Sequence, residues 1–361
     1  MRPLYQAFTV AGSLARGSLV LCMGVALAGH AGAQQSATPD AKPPATSAQE
    51  PGSSIAEVQQ MLSRGQLKEA EAQLTVLAQK SPEPAGTERL LGMVHYQRNE
   101  FPAAEAAFQK AIDQNHDDLE AVQMLGVSLF RMGKAAEAIP LLERSNSAIA
   151  NSNADGTYVL AASYMDVHRF DDARRLFAKQ YKLPTDSAAA YLFMARMLFR
   201  REYLIESRQM AEKALAIDPR LPLAHMLLGQ VDLSKSREAE AVTEFEAERK
   251  INPMDGEVYE RLGDAYLRAS RFEEAQQSLD CALLLEPNAT GPYILLGEVL
   301  LKREDPATAL NYLLHAEKMD SGNHLTHLLL GQAFRATGRK EDAVREYKMA
   351  ENIQNAGTDK N

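Results

Sequence analysis

The chain has 361 residues, of which 45% are hydrophobic and 24% are charged, an ordinary balance for a soluble globular protein. This composition excludes a wholly disordered chain, which lacks the apolar side chains needed to bury a core. The formal net charge is -9, and Lys and Arg are interspersed with Asp and Glu along the chain. Because a nucleic-acid binder needs a concentrated basic stripe, we expect no nucleic-acid partner.

The N-terminus has the pattern of a cleavable signal peptide over residues 1–33. Arg2 and Arg16 precede an apolar run over residues 19–28, and Ala31-Gly32-Ala33 follows it. Since a membrane-spanning helix needs about 20 apolar residues, this run is too short to cross a bilayer. We therefore predict cleavage after Ala33 and a periplasmic or secreted protein without membrane insertion, with a retained anchor as the alternative.

The two cysteines of the chain and the polar stretch after residue 33 allow three further predictions. Cys22 lies inside the apolar run, but Leu21 before it is not the small residue that a lipoprotein signal requires, so a lipidated form is the weaker alternative. Cleavage after Ala33 leaves Cys281 as the remaining thiol, and we expect a small packed side chain rather than an intermolecular disulfide. Residues 34–53 are rich in Ala, Pro, Ser and Gln, which predicts a disordered spacer.

A large residue followed by a small one recurs every 34 residues, with one interval of 35. The pairs are Leu91-Gly92, Leu125-Gly126, Leu160-Ala161, Met194-Ala195, Leu228-Gly229, Leu262-Gly263, Leu296-Gly297 and Leu330-Gly331. A weaker copy at Glu57-Val58 makes nine units, which start near residues 51, 85, 119, 154, 188, 222, 256, 290 and 324. The pattern predicts a repeat array over residues 54–357 and a short tail over residues 358–361.

A second small residue follows each pair at a fixed distance. These residues are Ala70, Ala104, Ala138, Ala173, Ser207, Ala241, Ala275, Ala309 and Ala343. Four positions later comes a larger apolar residue in most units, such as Phe108 or Phe245, which is the spacing of one buried helical stripe. Small residues in both halves of the unit predict two antiparallel helices, A and B, that cross closely.

This pattern resembles the tetratricopeptide-repeat family over most of the chain. The resemblance implies an all-α fold, a right-handed superhelical solenoid of about nine helix-turn-helix units in which helix A lines a concave groove. It also implies a role as an interaction scaffold. The stretch 144–158 departs from the pattern, because it holds the extra residue and a polar run. We interpret it as loop variation, with a joint between the third and fourth units as the alternative.

The resemblance also places certain helix-A positions in the groove, where a protein or peptide client would bind. In units two to five these positions hold apolar residues and arginines, namely Met93, Tyr96, Phe130, Tyr158, Met165, Leu192 and Phe199 with Arg89, Arg131, Arg196 and Arg200. In units seven to nine they hold Glu260, Asp264 and Glu298 with Leu267 and Leu301. Aromatic residues, Met and Arg are favoured at binding surfaces. The alternative is that several of these side chains pack between neighbouring units.

The sequence contains no Gly-rich phosphate loop, no paired-Cys motif and no nucleophile elbow. His324 and His327 lie three residues apart, with His315 in the preceding helix, and such a spacing can hold a metal. However, the pattern fixes no carboxylate ligand beside them, and we expect packed or exposed histidines. The sequence therefore predicts no catalytic residue, no cofactor and no metal site.

The main hypothesis is a non-enzymatic protein–protein interaction scaffold that binds a protein or peptide segment outside the cytoplasm. The alternative is a membrane-associated assembly or export factor of the envelope, in pilus or polysaccharide machinery. Retention of residues 1–33 would favour this alternative.

Overall fold

The computed structural model describes residues 54–148 and 154–358. The expectations for the signal peptide, the spacer, Cys22 and most of the polar run after residue 148 concern residues outside this part. The described residues form eighteen α-helices and no strand, which confirms the all-α prediction. They belong to one compact unit, Ser53–Asn361. No helix in the described part combines the length and the apolar character needed to cross a membrane.

The helices alternate along the chain between the A and B positions of nine units. Helices A are α1 (Ile55–Ser63), α3 (Thr87–Gln97), α5 (Leu119–Arg131), α7 (Ala154–Asp166), α9 (Ala188–Arg200), α11 (Ala224–Ser234), α13 (Gly256–Arg268), α15 (Thr290–Lys302) and α17 (His324–Ala336). Helices B are α2 (Leu67–Ala78), α4 (Phe101–Gln114), α6 (Ala135–Ala148), α8 (Phe170–Gln180), α10 (Leu204–Ile217), α12 (Glu238–Ile251), α14 (Phe272–Leu285), α16 (Pro306–Met319) and α18 (Lys340–Thr358).

A residue with left-handed backbone geometry follows every helix A. In three units it is a glycine, with φ of 73°, 77° and 82° at Gly65, Gly133 and Gly338. In the other six units φ lies between 52° and 64°, at Asn99, His168, Glu202, Ser236, Ser270 and Glu304. Left-handed geometry is a common way to end a helix, because it directs the next N–H groups back to the free carbonyls of the last turn. The chain thereby turns within a few residues into helix B.

Helices A and B of one unit cross where helix A carries almost no side chain. A Cβ atom built on Gly92 would lie 2.6 Å from the Phe108 ring, and one on Gly229 would lie 2.4 Å from the Phe245 ring. Both distances are far below van der Waals contact, so an added methyl group would push the helices apart. On helix B the predicted small residues are also buried, from 0% exposed at Ala104 to 3% at Ala343.

The buried side chains form a core that runs along the array. The longest cluster covers residues 104–228 and includes both Leu142 and Leu160, so it passes the stretch 144–158 without a break. The hydroxyl of Thr157 donates a hydrogen bond to the Asn146 side chain at 3.0 Å across the same stretch. Two further clusters cover residues 226–299 and 294–343. This continuity favours loop variation over a joint between the third and fourth units.

The structure corrects the expectation for Cys281, which is exposed on α14 rather than packed. Its neighbours Leu279 and Ala282 are 0% and 1% exposed and occupy the buried stripe of that helix. Because successive residues of a helix are turned by about 100°, Cys281 lies outside the stripe.

Candidate protein-binding surface

Two aromatic rings and an arginine lie together where the second and third units meet. The Tyr96 ring stands edge-on to the Phe101 ring at 5.7 Å, and the Arg131 guanidinium lies over Phe101 at 5.1 Å from the ring centre. Tyr96 belongs to α3, Phe101 begins α4 and Arg131 ends α5. We name these three residues the aromatic–arginine cluster. All three are half-buried, so the cluster offers a partner both apolar surface and a positive charge.

Five more of the predicted residues keep accessible surface. Met93, Phe130 and Phe199 are half-buried and pack on the long core cluster. On α9, Arg196 is half-buried and Arg200 is exposed. The three apolar side chains therefore rest on the core, and all five residues keep surface that a partner can contact.

Three other residues predicted for the groove are either buried in the core or lie against another aromatic ring. Met165 and Leu192 are 0% and 8% exposed and belong to the core. Tyr158 is 44% exposed, but its ring lies 6.1 Å from that of Phe177 on helix B of the same unit. Since a buried side chain cannot meet a partner without rearrangement, Met165 and Leu192 act in this structure as packing residues, the alternative that the sequence left open.

Arg89 is already engaged in ion pairs. Its Nε lies 3.5 Å from Asp118 Oδ2, and its Nη1 pairs with Glu120. Asp118 also caps α5 by accepting a hydrogen bond from the Ala121 N–H at 3.0 Å. Arg89 therefore ties the second unit to the start of the third, and its charge is partly offset there.

A second aromatic group lies at the turns of the fourth and fifth units and was not predicted from the sequence. The rings of His168, Phe170 and Tyr203 meet edge-on, with centres 5.4 to 5.6 Å apart. We name these residues the turn aromatic cluster. The signal that could have revealed it is the recurrent Phe at the first position of helix B, which Phe101 and Phe170 share.

The acidic helix-A positions lie on α13 and α15. Glu260 is half-buried, and burial raises the pKa of its carboxyl, with further repulsion from Glu257 and other acids against a lowering by Arg261. Gly291 lets this carboxylate approach α15, since a Cβ atom there would lie 2.1 Å from Glu260 Oε1. Glu260 therefore lies at the contact between the seventh and eighth units.

The other acidic positions are half-buried as well. Asp264 Oδ1 accepts a hydrogen bond from Arg268 Nε at 2.8 Å, and Glu298 is half-buried. Leu267 is buried and Leu301 is half-buried. We name Glu260, Asp264 and Glu298 the acidic surface, which presents a charge opposite to that of Arg131 and Arg200.

An open groove of about 540 Å³ lies elsewhere, and its lining includes Pro102, Glu105, Glu137 and Pro140 of α4 and α6. None of the predicted binding residues lines it. A shallow groove without aromatic or cationic anchors is a weaker binding site than its volume suggests, because affinity concentrates at such anchors. We therefore place the candidate surface on helices A.

The nine helix pairs of the described residues, with accessible side chains on helices A, define a helical-repeat scaffold. Two family models described as tetratricopeptide repeat match residues 61–126 and residues 226–283 with 294–358, together more than half of the chain. A model described as anaphase-promoting complex, cyclosome, subunit 3 matches residues 97–180. The chain belongs to the tetratricopeptide-repeat family. Repeats of this family are generally non-catalytic scaffolds that bind protein partners.

Curated relatives match only parts of their own length. Cellulose synthase 1 operon protein C of Komagataeibacter xylinus is 27% identical over 171 residues, which cover 44% of this chain and 13% of the relative. Anaphase-promoting complex subunit 3 of Schizosaccharomyces pombe is 21% identical over 270 residues, which cover 74% of this chain and 40% of the relative. The chain thus spans less than half of either protein.

Solved structures give distant likenesses. A crystal structure of MamA aligns with a TM-score of 0.42 and 18% identity, covering 46% of this chain and 96% of that one. YrrB, described as a TPR protein with an unusual peptide-binding site, aligns with a TM-score of 0.43 and 22% identity, covering 50% of this chain and 93% of that one. Likenesses this weak carry no further argument.

Proposed function

We propose that this protein is a non-catalytic scaffold that binds a protein segment along helices A of its second to fifth units, outside the cytoplasm. The observation that carries the proposal is the aromatic–arginine cluster, in which Tyr96, Phe101 and Arg131 from two units form one half-buried patch. Aromatic residues and Arg supply most of the binding energy at many protein interfaces. The exposed Arg200 and half-buried Phe199 extend the same chemistry to the fifth unit.

The chemistry of this surface defines the client. Arg131 and Arg200 favour a segment with acidic side chains, and the half-buried rings favour apolar side chains between them. The acidic surface of the seventh and eighth units favours a basic segment instead. We propose an acidic, amphipathic client for units two to five, with nucleic acid disfavoured by the net charge of -9.

The proposed location rests on residues 1–33, whose charged, apolar and small-residue order is that of a signal peptide. The relative named for a cellulose synthase operon comes from Komagataeibacter xylinus, which agrees with a bacterial-type protein. Cleavage after Ala33 would release the array without an anchor.

The experiment is site-specific photocrosslinking of the full chain in its native host. The photoreactive residue is placed at Phe199 or Arg200, and at Met254 or Leu284 as matched controls, which are 77% and 84% exposed but lie away from the proposed surface. We expect the first two positions to capture one client and the controls to capture none of it. Equal capture from all four positions contradicts the proposed surface.

The N-terminus of the captured protein is sequenced in the same experiment. A mature start at Gln34 is the expected result for an exported scaffold. An intact or lipidated N-terminus, together with several envelope proteins captured from every position, would instead identify the anchored assembly factor.

A further inference from the structure

Three potential metal ligands converge where the last two units meet. Glu317 lies on α16, His327 on α17 and Glu346 on α18, and one ligand atom from each lies within 4.8 Å of the other two. In the sequence, His315 and His324 are the histidines nearest to His327. The structure instead stacks the His315 ring on Tyr293, at 4.3 Å between ring centres.

The buried His327 ring is held as metal-binding histidines are. Its side chain is 3% exposed, and its Nε2 lies 2.9 Å from the backbone carbonyl oxygen of Ser321. Because a carbonyl can only accept, Nε2 carries the proton and Nδ1 is directed to the carboxylates. Metal-ligating histidines almost always donate their second N–H to a carbonyl or carboxylate in this way, which fixes the orientation of the ring.

The Nδ1 atom of His327 faces a carboxylate from another helix. Glu346 Oε2 lies 2.7 Å from Nδ1. Glu317 is half-buried and, within the described part of the chain, makes no hydrogen bond or ion pair. One oxygen of its carboxylate lies within 4.8 Å of the ligand atoms of His327 and Glu346, which brings three potential ligands around one position.

The sixth unit offers a matched comparison. His225 and Glu244 occupy the same positions of that unit, and their Nδ1 and Oε2 atoms lie 2.6 Å apart. The residue that corresponds to Glu317 is Leu215, which packs on the long core cluster. The His–Glu pair by itself is therefore a recurrent packing contact, and the third carboxylate distinguishes the last unit.

We propose that Glu317, His327 and Glu346 bind a divalent transition-metal ion, with Zn²⁺ as the first probe. One imidazole nitrogen and two carboxylate oxygens are suitable ligands for such an ion, and a water can fill the fourth tetrahedral position. Ligand atoms about 2.1 Å from a tetrahedral ion lie roughly 3.4 Å apart, so the Nδ1 and Oε2 atoms need to separate only slightly. The bound ion fastens α16 to α17 and α18.

The test is calorimetric titration of the full chain with Zn²⁺ after removal of metal by a chelator. We expect one ion per chain, and Glu317→Gln to weaken binding by at least about tenfold, in the range seen when groups of a metal site are removed. Glu317→Gln leaves the His327–Glu346 contact in place, and an unchanged circular dichroism spectrum will verify that it folds. His225→Gln is the control and should bind as the unaltered chain does.

Thermal unfolding gives a second readout. Zn²⁺ should raise the Tm of the unaltered chain and of His225→Gln, and should leave Glu317→Gln unchanged, because an ion stabilises only a native state that binds it. The proposal is overturned if no single site is found, if Glu317→Gln binds as tightly as the unaltered chain, or if His225→Gln loses the same binding.

Discussion

Units two to five and units seven to nine pack by the same rule and differ in what they expose. In the first region Phe108 fills the crossing opposite Gly92, and in the second Leu279 fills it opposite Gly263, with both side chains 0% exposed. The accessible helix-A residues of the two regions carry opposite charges. Arg131 and Arg200 are positive in the first region, and the acidic surface is negative in the second. Packing positions therefore recur because every crossing needs them, whereas surface positions are free to specialise.

The two regions also differ in how their units are joined. Within the described residues, seven of the nine ring contacts fall between Tyr96 and Tyr203. One core cluster covers residues 104–228, while Leu90 and Val94 of the second unit belong to another cluster, and the second region is divided between two clusters. Ring contacts therefore contribute more to the joining of units two to five than to the joining of units seven to nine.

The largest expected effect tests the shared packing. Phe108→Ala in the first region should lower the free energy of unfolding by about 3–5 kcal/mol, and Leu279→Ala in the second by about 2–5 kcal/mol, since each leaves a cavity at a crossing. Urea denaturation measures both. Leu284→Ala, at a residue 84% exposed, is the control and should change little. A loss confined to one region would contradict a common packing rule.

The next effect concerns the joint between the regions. Asp232 on α11 is 1% exposed and pairs with Arg208 on α10, while Arg237 is 4.0 Å away. Arg208→Ala leaves this carboxylate buried with one distant partner and should cost about 3 kcal/mol, as unpaired buried charges do. Urea denaturation should show that Asp232→Asn restores part of the loss in the double variant. Additive losses would mean that the pair is not the cause.

A smaller expected effect compares how much a buried and an exposed arginine contribute to stability. Arg174 is 3% exposed, lies 4.1 Å from the Tyr191 ring centre and donates a hydrogen bond to the Thr185 carbonyl. Arg174→Ala should cost about 1–3 kcal/mol, because packing and hydrogen bonds are lost while its acidic partners, Asp171 and Asp186, stay exposed to solvent.

The matched variant is Arg271→Ala in the acidic region, where the guanidinium lies 4.5 Å from the Tyr266 ring centre but is exposed. It should cost clearly less than Arg174→Ala, because exposed ion pairs and cation–π contacts contribute little to stability. Thermal unfolding of both variants compares them directly. Equal losses would show that burial does not decide the contribution of these arginines.

The fold was predictable from the sequence because helix packing requires the same residue types at regular intervals. Each crossing needs a small residue on both helices and a large one beside them, so nine copies repeat the same spacing. The backbone geometry of the turns was harder to predict from the sequence. Glu202 and Glu304 adopt left-handed geometry, which a glycine at the same position would have indicated. Their conformation follows from the two helices that they join.

The candidate site was predictable only in part. Arg131, Phe199 and Arg200 keep accessible surface, but Met165 and Leu192 are buried by neighbouring helices, and exposure on helix A depends on that tertiary contact. Glu317 and Glu346 reach His327 from separate helices, so local spacing could not reveal the group. Sequence periodicity reports the helix face, and it does not report how closely the next unit covers it.

The smallest expected effect concerns the charge of the acidic region. Burial raises the pKa of Glu260, so the folded state favours the neutral form, and the stability that this gives is present in acid and is lost as the pH rises through the raised pKa. Glu260→Gln should therefore stabilise the protein near neutral pH, by roughly 0.5 kcal/mol. Below the ordinary pKa of a glutamic acid the variant and the unaltered chain should be equally stable in urea denaturation.

Glu274→Gln is the control of opposite sign. The hydrogen bond from Arg271 lowers the pKa of Glu274, so its contribution to stability is present above the ordinary pKa and is lost as the pH falls. Near neutral pH this variant should be slightly less stable than the unaltered chain, while Glu260→Gln should be more stable. If both substitutions shift stability in the same direction, the local environment of each carboxylate does not govern its effect, and net charge alone explains the acidic region.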